Sequence, residues 1–391
     1  MSPVWNRRTF LSNLALSVPL SRELFAAPRP ASSSYLAFVG FASIDQPQLH
    51  RVEVFRVEGA RWSSLQKSIP AVNPQALAVH PHLPVLYAAH STDSHMHLPR
   101  GSVSALAFDA HSGVLSRLGE EPLALSATHP SHMTVSPDGR SLLVAASTGG
   151  AWNFFALAED GAILRTPSAL KLTGSGPHPL QSSARPHSIV CHPAAPVAYA
   201  ADFGSDRIDQ VSSVSEAPTP RQRIVTPTIA RRISFEPGSG PSHLVLHPSG
   251  SLIAIVQQLR PALAVLGIQS NGDISDEPLH FLPLKAELAG PLVRNHSGNR
   301  LYLAMQTPGG NRAVAVYAWS SSTGDLRRIQ QVDLGTEPLS THLIATENEL
   351  IMLGPAGLDT IALRPEDGSC IGTPRRVMKS GHAASIVIHS V

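Results

Sequence analysis

Charge is scarce in this 391-residue chain: Asp, Glu, Lys and Arg together make up 15%, where a soluble domain usually has about 25%. Aromatic residues are 5%, and there are only two cysteines. No segment has the roughly 18 uninterrupted apolar residues of a membrane-spanning helix. Runs rich in Ala, Leu, Glu and Lys are missing too, so long helices are not expected. Beyond the first thirty residues, where Arg7, Arg8, Arg22 and Arg29 stand against Glu23, no Lys/Arg cluster occurs. The near-neutral remainder has no electrostatic footprint for nucleic acid. Glycine (28) and proline (34) are plentiful and spread along the chain, and hydrophobic residues reach 42%. That composition excludes global disorder and fits many short strands joined by turns.

The first residues read as a leader. Residues 6–12 are N-R-R-T-F-L-S, an apolar run follows over 14–20, and Phe25-Ala26-Ala27 precedes a proline-rich stretch. A basic start, a modest apolar segment and small residues at its end describe a cleavable signal. Arg7-Arg8 followed by Phe10-Leu11 is similar to the twin-arginine motif of bacterial export. The expectation is a signal over residues 1–27, a linker over 28–34, and a periplasmic or secreted mature chain without a membrane span. Cys191 and Cys370 would be permitted one disulfide there, but two separately buried thiols are expected.

One phrase recurs along the body: an apolar strand, a His or Ser with Pro, a turn, then a second apolar strand. It is A-L-A-V-H-P at 76–81, H-M-T-V-S-P at 132–137, S-I-V-C-H-P at 188–193 and H-L-V-L-H-P at 243–248. Looser copies run over 292–299, 342–350 and 385–390. Seven copies spaced about 40–55 residues apart predict a β-propeller of four-stranded blades. In one unit the strands are expected over 132–136, 141–146, 151–157 and 162–165, with Asp138-Gly139 and Asp160-Gly161 turning between them. The body opens at 35–40 with a second-strand phrase and closes at 385–389 with a lone inner strand. The fold expected over 35–391 is therefore an all-β, seven-bladed propeller whose terminal inner strand completes the N-terminal blade and removes free edges.

With these motifs in place, the chain resembles the lactonase family of seven-bladed propellers, which includes propeller-type 6-phosphogluconolactonases and carboxy-cis,cis-muconate cyclases. The most specific stretch is 174–209, where G-x-G-P-x-P, R-P-H-S-I-V and V-A-Y-A-A-D-F-G-S-D-R-I follow one another. Residues 236–243, E-P-G-S-G-P-S-H, resemble the family's P-G-x-G-P-R-H, and Asn73-Pro74 with Leu86-Tyr87 resembles a further motif. The resemblance implies a channel mouth lined with His, Arg and Glu. Here Arg185 replaces the first His of an H-x-H pattern and His187 keeps the second. Ser242 replaces an Arg, Gln258 stands where the pattern has Glu, His90-Ser91 stand where it has Asn-Glu, and Gln306 follows a strand where an Arg has gone. Gln cannot take a proton as a carboxylate base does.

The candidate catalytic residues are His187, Arg185, His132, His243 and Gln258. His132, His187 and His243 are expected at the mouth-side ends of inner strands in three consecutive blades, converging on the channel. An imidazole there could activate water, and Arg185 could grip an oxyanion or an acidic substrate; alternatively the histidines bond to neighbouring blades and are structural. Asp202 and Asp206 could orient His187 or brace a turn. His80, His192, His247 and His389 belong to the opposite ends of their strands. Metal-ligand spacing is missing, the group Asp93, His95 and His97 reads as an exposed loop, and no cofactor is implied. Gly174, Gly176, Gly238 and Gly240 frame the mouth, with N–H groups open to an anion. The functions implied are a lactonase-like hydrolase acting on a small acidic sugar lactone or cyclic ester, a non-catalytic propeller binding a small anionic ligand or an envelope protein, or a muconate cycloisomerase-like enzyme.

Overall fold

A computed structural model describes residues 34–43, 46–164, 167–216, 224–379 and 382–391. The expected signal and nearly all of the linker lie outside the described residues. The described chain forms seven four-stranded antiparallel sheets. Six blades are continuous in sequence and start with the inner strands Pro74–Val79, Thr128–Val135, Pro186–Cys191, Pro241–Leu246, Leu288–Arg294 and His342–Ala345. Blade seven is composite: Ala383–Ser390 is its inner strand, and Ser34–Phe41, Arg51–Glu58 and Arg61–Pro70 follow outward. Ala383–Ser390 pairs with Ser34–Phe41 from Tyr35↔Ser390 to Gly40↔Ser385, so the ring closes as the chain ends led us to expect. Among the described residues no helix is long and apolar enough to cross a membrane.

Second strands such as Val85–His90 and Leu252–Gln257 are buried at every position, which is why they read as unbroken apolar runs. Outermost strands such as Ile274–Pro283 are mostly exposed and carry a weaker pattern. That explains one correction: the fourth strand of blade two is Ser168–Lys171 rather than 162–165, where a single bridge joins Leu157 to Ile163. There is no single core. Seven apolar clusters occupy the seven interfaces between adjacent blades, as where Tyr87 and Val103 of blade one meet Met133 and Phe155 of blade two. Each large side chain buried in this way contributes roughly 1.5–3 kcal/mol. The two cysteines are free thiols in separate clusters. Burial pushes Cys191 up to about 12 and Cys370 up to about 11.

The His-Pro turns latch one blade to the next. His80 Nδ1 accepts the N–H groups of His82 and Leu83 at 3.1 and 3.0 Å, which leaves Nε2–H to donate to Gly139 O of blade two at 2.9 Å. His192 repeats this, with Nδ1 accepting from Ala194 and Ala195 and Nε2–H donating to Gly250 O of blade four at 3.1 Å. Both glycines have positive φ, and a Cβ on Gly250 would stand 2.7 Å from the His192 ring. These histidines face away from the candidate mouth and serve the ring.

Candidate active site

Four inner strands carry a proline at their mouth-side end, and in each the register shifts just after it: Pro74/Ala76, Pro130/His132, Pro186/Ser188 and Pro241/Leu244. Proline gives the ladder no N–H, and the bulge re-aims the side chains that follow. The three expected histidines are therefore not equivalent. His132 and His243 stand four residues before the turn residues Ser136 and His247, whereas His187 stands five before His192. Its counterparts are Ser131 and Ser242, and Ser188 occupies the histidine position.

The bulges nevertheless bring the rings together. His187 and His243 meet edge to face with centroids 4.8 Å apart. His132 accepts the Ile189 N–H of blade three through Nδ1 at 3.3 Å, so its role is partly structural. A fourth ring, His342 of blade six, joins the cluster electrostatically through His132 and His243. Its repeat, H-L-I-A, starts with His as H-L-V-L does, so the sequence carries a signal for this fourth ring. All four are half-buried, with protein packed densely around them. Burial lowers His132, His187 and His342 to about 4. For His187 the adjacent His132 and Arg185 add to the effect of burial, and a backbone interaction with Ser242 opposes it. His243 is held well below its ordinary value, again first by burial and then by His187 and His132. At neutral pH the cluster is uncharged.

His187 Nδ1 is buried without a hydrogen-bond partner. The ring lies 6.1 Å from Phe203, over whose face the Arg185 guanidinium sits with Cζ at 5.6 Å. Phe203, which sequence reading did not single out, is thus the wall shared by the expected base and the expected anion-binding group. The Arg185 side chain is exposed and makes no ion pair among the described residues. Gln258 is half-buried and donates its backbone N–H to Gly240 O at 2.9 Å; no hydrogen bond joins its side chain to the histidines among the described residues.

Several neighbours turn out to be structural. Asp202 does not touch His187: it accepts the N–H groups of Arg185 and Gly204 at 2.7 and 3.1 Å and pairs with Arg207 at 3.0 Å. Asp206 accepts from Gly238 N, Gly240 N, Ser239 Oγ and Gln181 Nε2. The N–H groups of Gly238 and Gly240 expected to be open to an anion are therefore taken by Asp206. Ser242 is fully buried, with its hydroxyl on Val256 O at 3.4 Å, so it does not face the mouth. Gln306 donates to Gly310 O at 3.3 Å. His90 is buried between Val72 O and Ser104 Oγ. Among the described residues no group of three or more His, Cys, Asp or Glu could hold a metal ion.

A cavity of about 1020 Å³ reaches from His132 of the cluster to the turn-side residues Arg294, His296, Glu347 and Ser390; Arg185, His187 and His243 are not part of its lining.

Comparison with known proteins gives one family. A sequence model described as "Lactonase, 7-bladed beta-propeller" matches residues 38–354. The 6-phosphogluconolactonase of Bacillus subtilis is 22% identical over 291 residues, 71% of this chain and 78% of that protein. The 6-phosphogluconolactonase of Formosa agariphila is 22% identical over 279 residues, 70% and 76% of the two chains. Among solved structures, the periplasmic gluconolactonase of Pseudomonas aeruginosa superposes with a TM-score of 0.78 at 22% identity, covering 92% of this chain and all of the other. At that identity the likeness speaks for the fold.

Proposed function

We propose that this chain, which belongs to the lactonase family of seven-bladed β-propellers, hydrolyses a small acidic sugar lactone or a related cyclic ester at the mouth formed by His187 and Arg185. Family membership supports hydrolase potential; the substrate class and the residue roles are our reading. One observation carries it: the unpartnered Nδ1 of His187 shares the Phe203 wall with an unpaired guanidinium. A neutral imidazole nitrogen held without a partner has a free lone pair for a proton, and a shift of the ring or of its cover has to bring that shielded atom to water. His187 takes a proton from water as the water oxygen bonds to the lactone carbonyl carbon. Arg185 holds the developing oxyanion or the substrate carboxylate. Collapse breaks the ring C–O bond, and the proton returns from His187 to the leaving oxygen. His132 and His243 fix the ring, and Gln258 offers an amide, not a base.

The location we propose is the periplasm or the exterior. Arg7-Arg8 and the apolar run after them support it, as does the periplasmic placement of the Pseudomonas relative. Such a compartment favours unphosphorylated substrates. A second reading, ligand binding without turnover, draws on the cavity beside Arg294, whose guanidinium bonds to the carbonyls of Leu246, Asn295 and His296. A panel of sugar lactones, phosphorylated and not, followed by pH-stat, separates these readings. We expect opening above the spontaneous rate on an unphosphorylated acidic lactone. Saturable binding with no excess rate on any lactone would favour the second reading. A preference for phosphorylated lactones would overturn the proposed substrate and leave the reaction class standing.

A further inference from the structure

The geometry points to a second centre on the same face of the propeller, a serine acyl-transfer site in which Ser91 is the nucleophile, His129 its base and Asp93 the group that orients the base. It goes beyond the lactone-opening reading and does not depend on it. Ser91 Oγ lies 2.9 Å from His129 Nδ1, and His129 Nε2 lies 2.8 Å from Asp93 Oδ1. An ionised carboxylate only accepts hydrogen bonds, so Asp93 places the imidazole proton on Nε2. Nδ1 is then left with its lone pair, and the Ser91 hydroxyl donates to it. A nucleophile hydrogen-bonded to a base that a third group orients is the arrangement that activates serine. Chain neighbourhood does not create it: Ser91 and Asp93 follow the strand Val85–His90 of blade one, and His129 belongs to the inner strand of blade two.

The backbone holds both ends in unusual conformations. His129 has φ 51° and Asn73 φ 45°, values that non-glycine residues seldom adopt and that cluster at functional sites. Asn73 clamps the serine from both sides, accepting Ser91 N–H at 2.9 Å and donating its amide to Ser91 O at 2.6 Å. The His129 carbonyl is tied down by Ser147 Oγ at 2.7 Å. Two residues on, Ser131 donates to Pro186 O and His187 O at 3.1 and 3.0 Å, so this segment abuts the one that carries His187. Ser91 is recessed at 8% exposure, whereas the Asp93 side chain is 92% exposed.

The substrate class is a small carboxylic ester. Ser91 Oγ bonds to the ester carbonyl carbon as its proton passes to His129 Nδ1. The ester C–O bond then breaks, and the departing alkoxide takes that proton from His129. Water next adds to the acyl-serine, again giving a proton to His129, and the acid leaves as Ser91 Oγ recovers the proton. A fluorophosphonate reads the first half: Ser91 Oγ displaces fluoride at phosphorus and the proton goes to His129.

The test treats the whole chain with a fluorophosphonate probe and maps the adduct by peptide mass spectrometry. We expect one label, on Ser91, absent from Ser91→Ala. His129→Asn is the informative variant, since Asn tolerates positive φ better than most residues, and it should slow labelling by about 10²-fold or more. Asp93→Asn should slow it by less than about tenfold, because a carboxylate that is 92% exposed is well solvated and its hold on the ring is worth little. His187→Ala should label at the unaltered rate, which separates this centre from the lactone site. A wild-type chain with no adduct at Ser91 overturns the proposal whatever the variants do. So does an adduct whose rate is indifferent to His129→Asn in protein whose melting temperature shows it folded.

Discussion

Burial sets the protonation state of the channel imidazoles. His132, His187 and His342 are held at about 4 and His243 well below its ordinary value, because a proton on any of them would place charge where water is scarce, and for His187, His243 and His342 neighbouring rings add repulsion. A base with so low a pKa is a weak one, but it is in its working form at every pH above about 5. Protonation removes it. The rate constant kcat/KM for lactone opening should therefore be flat above about pH 5 and fall with acid, with an apparent pKa of about 4. An inflection between pH 6 and 7 would mean that a different group accepts the proton. Between the ordinary value of 6.5 and about 4 the unfolded chain binds protons that the native one refuses, so stability also declines with acid over that window. Circular dichroism should accompany the rates. At this scale the sequence named His132, His187 and His243 as a group because they recur at the entries of inner strands, and added Arg185 as the neighbour of His187. The one-residue offset of His187 is visible in the phrase itself, S-I-V-C-H-P against H-M-T-V-S-P and H-L-V-L-H-P; that the rings still meet was hidden, since a bulge after the proline changes the facing of a side chain. The Ser91–His129 pair was hidden for a different reason: it joins residues of two blades, and periodicity within a blade carries no information about it.

At the scale of elements, closure depends on a very tight approach. A Cβ on Gly40 would stand 2.3 Å from Ser385 Oγ and 2.7 Å from Pro74 O. Ser385 Oγ itself donates to Pro74 O at 2.7 Å, so Gly40 lies under the joint between blades seven and one. Gly40→Ala should destabilise the fold by roughly 1–3 kcal/mol, the range for forcing extra atoms into a packed site, seen as a lower midpoint in urea. An unchanged midpoint would mean that the joint yields freely. The strand closing the ring was legible because 35–40 reads as a second strand with no inner strand before it. Outer strands were less so. In blade two Ser168–Lys171 is four residues long and nowhere fully buried, too short for a legible pattern, and 162–165 was preferred for its turn chemistry. The glycines at 238 and 240 looked available to an anion because their partner, Asp206, lies some thirty residues away.

For the whole molecule, seven interfaces of similar make-up hold a channel whose two ends differ. One end gathers uncharged imidazoles beside Arg185; the other opens into the cavity near Arg294 and Glu347. The His-Pro turns of blades one and three tie the ring together at the turn side, which leaves the opposite side free to vary its side chains. The architecture alone is compatible with hydrolysis or with binding, so the central claim rests on His187. The most direct measurement compares wild type and His187→Ala on an unphosphorylated sugar δ-lactone, at a pH where spontaneous opening is slow and both proteins are folded. Loss of the excess rate by about 10²–10⁴-fold, as for a positioned proton acceptor, is the result this account predicts. An excess rate that survives the substitution undiminished would contradict it.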